Sequence, residues 1–183
     1  MALFSIIYPF PIGENAPDFK GLKGIDGKEY SLTSFADKSI VVLVFIANRC
    51  PTARVYTERL KSIQSDYASK RVQLVGINSD NQYFLSLESM SNMIKTASER
   101  EFNFPYLKDE DQSVAKSYGA LVTLHAFVLD YERRLRYRGR VDDSRDPAKV
   151  ASLDLRNAID DLLEGKTVRV PETRPFACEI EFF

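Results

Sequence analysis

The chain has little of what several common protein classes depend on. Its 183 residues include two cysteines and one histidine. Two thiols far apart in sequence cannot form the framework of a secreted, disulfide-stapled domain. With a single histidine they are also too few for a zinc site, so neither metal nor other cofactor is expected. Charge of either sign is scarce in excess: 25 basic against 26 acidic residues leave a net −1. That balance removes the electrostatic case for nucleic acid or an acidic membrane surface as partner. The apolar opening, MALFSIIYPF, breaks at Pro9 and Pro11, far short of a membrane span. It also lacks the basic flank and small-residue cleavage site of a secretory signal. It reads as a docking or edge segment of the mature fold, and the expected location is the cytoplasm.

What is present suits an ordinary globular protein, 44% hydrophobic and 28% charged. A chain of this length can bury a core without staples. One domain over residues 1–183 is expected, with an extended tail over 166–183. FKGLKGIDGKEYSL carries Asp26-Gly27 between short alternating stretches, which signals a hairpin. SIVVLVFIA (39–47) and VQLVGINS (72–79) read as strands buried on both faces. Between them, Tyr56, Leu60, Ile63 and Tyr67 fall on one face of a helix. A second helix should carry Met90, Met93, Ile94 and Ala97. FPYLKD predicts a short strand, and QSVAKSYGA a short helix closed by Gly119. LHAFVLD and RLRYRGR predict two strands joined by a tight charged turn. Ala151, Leu155, Ala158, Ile159, Leu162 and Leu163 mark a last amphipathic helix. This order gives an α/β fold, a mixed sheet covered by helices on both faces. The set Arg138-Gly139-Arg140 and Asp142-Asp143 reads as a self-paired surface network, with a partner-facing hairpin as the alternative.

Chemistry in such folds collects where strands lead into helices, and Cys50 stands at that junction. Pro51 suits the first helical position, where its missing N–H costs nothing. The unpaired amides and positive dipole end of the helix then face the Cys50 sulfur. Such placement lowers a thiol pKa from about 8.5 toward 7 or below, and thiolate is the nucleophile. Arg49 precedes the sulfur and reads as solvated. Arg54 lies one turn on, either near enough to assist a thiolate or paired with Glu58.

The whole set of motifs resembles the peroxiredoxin-like branch of the alkyl hydroperoxide reductase/thiol-specific antioxidant (redoxin) family, a branch of the thioredoxin fold. The segments that carry the resemblance are GENAPDFKGLKGIDGKEYSL (13–32), VVLVFIANRCP and VGINSD (75–80). FPYLKDEDQSVAKSYGA (104–120), YRGRVDDSR (137–145) and VPETRPFAC continue it to the tail. The resemblance implies a thioredoxin-like three-layer fold with an N-terminal β-hairpin and a single active-site cysteine. It also implies an antioxidant oxidoreductase with a peroxide or disulfide substrate, an external thiol reductant, and room for a homodimer. Several positions depart from the pattern. Ala53 stands where a C-x-x-C pair has its second cysteine, and Ala47 and Leu43 stand where peroxiredoxins carry a hydroxyl residue and a proline. Leu124 follows Thr123 where thioredoxin-like proteins have a cis-proline, and a cis bond before leucine would cost about 3–4 kcal/mol, so trans is expected.

Cys50, Arg54 and Cys178 are the candidate catalytic residues; Thr52, Thr123 and His125 are candidates for substrate binding. His125 could accept a proton near Cys50 or point into the core. Cys178 could resolve an oxidised Cys50 or anchor the tail. The expected function is a thiol-dependent oxidoreductase. A binding or scaffold protein that lost the reaction is the alternative, as is a redox sensor.

Overall fold

The structure, a computed structural model, describes residues 8–83 and 85–183. Most of the proposed N-terminal docking segment lies outside these; within them, Phe10 is buried in the core. Seven strands form one sheet: β1 (Leu22–Gly24), β2 (Glu29–Tyr30), β3 (Ile40–Phe45), β4 (Val72–Asn78), β5 (Tyr106–Lys108), β6 (Ala126–Leu129) and β7 (Leu135–Gly139). Their spatial order is β2-β1-β5-β4-β3-β6-β7. The β3–β4 and β4–β5 pairs are parallel, and the others antiparallel. Helices α1 (Pro51–Tyr67), α2 (Met90–Glu99), α3 (Ser113–Tyr118) and α4 (Asp154–Leu163) cover the two faces. This is the mixed sheet that the order of sequence patterns predicts. Among the described residues, no helix is long and apolar enough to cross a membrane.

The interior strand β3, between β4 and β6, shows why the order works. Every side chain in IVVLVF is buried, and alternation divides them between two cores. Val42 and Val44 pack with Tyr56, Leu60 and Ile63 of α1 and with Leu155 and Ile159 of α4. Val41, Leu43 and Phe45 pack on the other side with Val114, Tyr118 and Phe127. The Asp26-Gly27 hairpin forms between β1 and β2, and Gly119 closes α3 in the left-handed region at φ +69°. Two details of the helical reading differ. Ile94 is exposed on α2 although Met93 and Ala97 beside it are buried, and Ala151 precedes α4.

The charged set after β7 is not a self-paired surface network. Arg138 is buried, donating to the Phe10 carbonyl and to Glu172. Arg140 pairs with Asp154 at 2.7 Å, and buried Asp142 accepts from Tyr56 and Arg59 of α1. Each charge thus ties a different element to β7.

The tail after α4 has no helical period, and its backbone groups find partners in the sheet. It first runs beside β7, where the Arg138 amide donates to the Pro171 carbonyl and the Thr173 amide to the Arg138 carbonyl. Gly139 permits this approach: it lies at φ +151°, and a Cβ there would meet Thr173 Oγ1 at 2.1 Å. The tail then crosses to the segment before β6 and forms an antiparallel bridge between Val122 and Glu179.

Candidate active site

Five residues, Ile46 to Cys50, connect β3 to α1. Their path is fixed by Glu88, a carboxylate with no solvent exposure. It accepts the backbone N–H of Asn48 at 2.9 Å and that of Arg49 at 2.8 Å, and the Asn78 amide at 2.7 Å. A carboxylate out of water needs such donors, and the loop supplies two of them. The Tyr106 hydroxyl donates to Asn48 Oδ1 at 3.0 Å, holding the loop from β5. Backbone freedom just before Cys50 is removed by these bonds.

Cys50 is the N-cap of α1, with Pro51 as the first helical residue. Its backbone is extended, and its Sγ accepts the Ala53 N–H at 3.4 Å. The Thr123 hydroxyl donates to the same sulfur at 3.1 Å, across from the segment before β6. Closest of all is Cys178: the two sulfurs lie 2.7 Å apart, and both are free thiols. Burial opposes ionisation of Cys50. Hydrogen bonds from the Cys178 thiol, the Thr123 hydroxyl and the Ala53 amide outweigh it and hold the pKa below the ordinary thiol value. Cys178 moves the other way, up to about 11, because of its own burial and then the bond and charge of Cys50. The Thr52 amide pulls it partly back. One sulfur is prepared to be the anion and its neighbour to be the proton donor. Sequence reading located Cys50 at the helix start; the structure brings a second thiol to it.

Thr123 and the backbone of Thr52 thus both reach the thiol pair. The Thr123 amide also donates to the Cys178 carbonyl at 2.8 Å. Arg54 does not join them. It is exposed on α1, in a groove with Thr57, Glu58, Glu99 and Arg100, and its side chain makes no hydrogen bond to the Cys50 sulfur. The donor role considered for it belongs to Thr123 and the Ala53 amide.

His125 is likewise separate from Cys50. Its ring packs 4.3 Å from Phe127 and 5.7 Å from Tyr8, on the face of the sheet opposite the thiols. Burial, with the charge of Arg138 behind it, pushes its pKa down to about 3, so the imidazole is neutral. In a regular strand Thr123 and His125 would share a face. Leu124 breaks that period. Its peptide bond is trans, as expected, but its φ is +60°, a left-handed conformation uncommon for leucine. The turn sends His125 to the other face and directs the Leu124 N–H to the Phe45 carbonyl at 2.6 Å.

Three further residues hold the loop and tail around the thiols in ways the sequence does not show. Glu88 sits in LSLESMSNM with nothing to mark it. Arg49, read as solvated, instead donates from Nε to Asp80 at 2.7 Å and from Nη2 to the Glu179 carbonyl at 2.9 Å. Asp80 is buried. The only signal was the position of Arg49 beside the thiol.

Comparison with known proteins agrees with this fold. The family model for the AhpC/TSA family matches residues 12–138. No curated protein matches the chain. A hypothetical protein from Sinorhizobium meliloti is 35% identical with a TM-score of 0.87, over 95% of this chain and 96% of that one. An uncharacterized conserved protein from Geobacillus kaustophilus is 35% identical with a TM-score of 0.88, over 95% and 93%. Peroxidoxin BcpB from Mycobacterium tuberculosis shares the fold at 22% identity and a TM-score of 0.63, over 88% and 98%.

Proposed function

The chain belongs to the AhpC/TSA family of thioredoxin-fold, thiol-dependent oxidoreductases, and we propose that it cycles between a Cys50/Cys178 dithiol and the disulfide joining them. The observation that carries this reading is the 2.7 Å approach of the two sulfurs across the tail. Cys50 attacks as thiolate. With a peroxide, the sulfur attacks the terminal oxygen and the O–O bond breaks; that oxygen stays on Cys50 as a sulfenic acid, and the displaced alkoxide or hydroxide takes up a proton and leaves as alcohol or water. Cys178 then attacks the sulfenic sulfur, and water leaves as the disulfide forms. With a disulfide substrate, Cys50 forms a mixed disulfide, and Cys178 attacks the Cys50 sulfur to release the second substrate thiol. Two external thiols, becoming a disulfide, return the pair to the reduced state.

Thr123 and the Ala53 amide support the anion in every step. Arg54 has no part, and neither does His125. The reading takes the cytoplasm as its setting, where thiols are kept reduced.

The test is a single turnover of reduced protein with one equivalent of hydrogen peroxide, and separately of oxidised glutathione, followed by disulfide mapping. A Cys50–Cys178 linkage is expected from at least one oxidant, and its absence from Cys50→Ser. Two untouched thiols, or Cys50 over-oxidised alone, would leave the binding or scaffold reading in its place.

A further inference from the structure

Residues 178–181 are held from both edges, and the two edges are built differently. On one edge the partner is ordinary backbone. The Thr123 amide donates to the Cys178 carbonyl at 2.8 Å, and the Ile180 amide to the Leu121 carbonyl at 2.9 Å. On the other edge, among the described residues, no strand pairs with it: the Glu181 carbonyl takes one backbone bond, from the Asn81 amide at 3.0 Å, and the groups nearer Cys178 are satisfied by side chains. The Glu179 carbonyl accepts from Arg49 Nη2 at 2.9 Å, and the Glu181 amide donates to Asp80 Oδ1 at 2.8 Å. Arg49 Nε and Asp80 Oδ2 meet each other at 2.7 Å. A neighbouring strand would offer one donor and one acceptor at this spacing. Here a side-chain ion pair supplies both.

The pair is itself rigid. Asp80 is 2% exposed, its amide donates to Asn78 Oδ1 at 3.1 Å, and its carbonyl accepts from Lys108 at 2.7 Å. Arg49 has its own N–H fixed on Glu88. Arg49 immediately precedes Cys50, and Glu179 immediately follows Cys178, so the clamp joins the neighbours of the two sulfurs.

We infer that Arg49 and Asp80 are positioning residues that set the register of the tail, so that Cys178 and not an adjacent residue meets Cys50. This rests on the proposed dithiol cycle. Both residues act on the backbone of the tail and hydrogen-bond to neither sulfur; the Arg49 charge also lowers the pKa of Cys178, so Asp80→Ala is the variant that tests the clamp apart from that charge. Without Arg49 and Asp80 the second edge keeps only the anchor past the clamp, where the Glu181 carbonyl accepts from the Asn81 amide and Gln112 Nε2; the stretch next to Cys178 can then lift or slide, and the effective concentration of Cys178 at Cys50 falls.

The test uses the full chain with Arg49→Ala, Arg49→Lys and Asp80→Ala, each equilibrated in glutathione buffers of graded ratio. Loss of the clamp should weaken the Cys50–Cys178 disulfide about tenfold, which for a two-electron couple raises its potential by about 30 mV. Arg49→Lys keeps the charge toward Asp80 but not the planar fork, and its potential should fall between. Amide hydrogen exchange of the reduced proteins provides the second measurement. Protection at Glu181 and Ile180 should drop in Asp80→Ala while that of β3 is retained. Potentials and protection equal to those of the unaltered chain would overturn the inference and leave the cycle standing. If the unaltered chain forms no Cys50–Cys178 disulfide, the cycle falls, and the clamp is then decided by the exchange data alone.

Discussion

Replacing Thr123 by valine keeps the shape of the side chain and removes the hydroxyl that donates to Cys50 Sγ at 3.1 Å. A hydrogen bond to a charged group contributes about 1.5–3 kcal/mol, and about 1.36 kcal/mol is one pKa unit. The full range therefore corresponds to roughly one to two units. Thr123 also lies 3.3 Å from the Cys178 carbonyl, so its proton is shared and the lower end applies. Removing a donor that favours the charged form raises the pKa. The first ionisation of the reduced thiol pair should move up by about one unit, with a tenfold loss of thiolate wherever thiolate is the minor form. Ultraviolet thiolate absorbance against pH measures this directly and does not require a reagent to reach a buried sulfur. Thr123→Ser restores a hydroxyl and should restore the midpoint. Identical titrations for threonine, serine and valine would refute the assignment of Thr123 as a stabiliser of the anion.

Three further outcomes follow from the same geometry. Cys178 holds its proton more tightly in the folded state, with a pKa of about 11 against an ordinary 9.0. The stability it confers is complete below the unfolded pKa and is lost as pH rises toward the folded one. Denaturant unfolding of the reduced chain should weaken over that window, and Cys178→Ala should flatten the decline. For His125 the sign reverses, because its pKa is depressed from 6.5 to about 3. Its contribution is present above the unfolded value and lost as pH falls, on the order of 5 kcal/mol at full protonation. His125→Phe should show a shallower acid limb, and an unchanged limb would contradict its neutral burial. Installing the proline that related folds carry, as Leu124→Pro, should destabilise by at least about 3 kcal/mol in chemical denaturation. Proline cannot adopt φ +60°, and it deletes the N–H that bonds to Phe45.

The legible parts of this protein were the local ones. The unbroken apolar, mostly β-branched run of β3 reads as a strand buried on both faces, and it is an interior strand of the sheet, between β4 and β6. Spacing placed Tyr56, Leu60 and Ile63 on the buried side of α1, and Pro51 located its first turn. Cys50 as an N-cap followed from those two facts alone. Spacing along α1 puts Arg54 within one turn of the sulfur but does not say which way its side chain leaves the axis; in the fold it is exposed in the groove with Glu58, Glu99 and Arg100. His125 was uncertain for a different reason. The two-residue alternation that would put it beside Thr123 is interrupted by one backbone angle at Leu124, which no composition or periodicity encodes.

By itself the sequence determined the elements, their order and the chemistry of one thiol, because hydrophobic period, proline geometry and helix-end amides act over a few residues. The tertiary structure decided what meets that thiol. Cys178 is 128 positions away, in a tail whose conformation comes from Gly139, Leu121, Thr123, Arg49 and Asp80 and not from any pattern of its own. Contacts between distant segments depend on where the sheet ends lie in space, and only the folded chain fixes that.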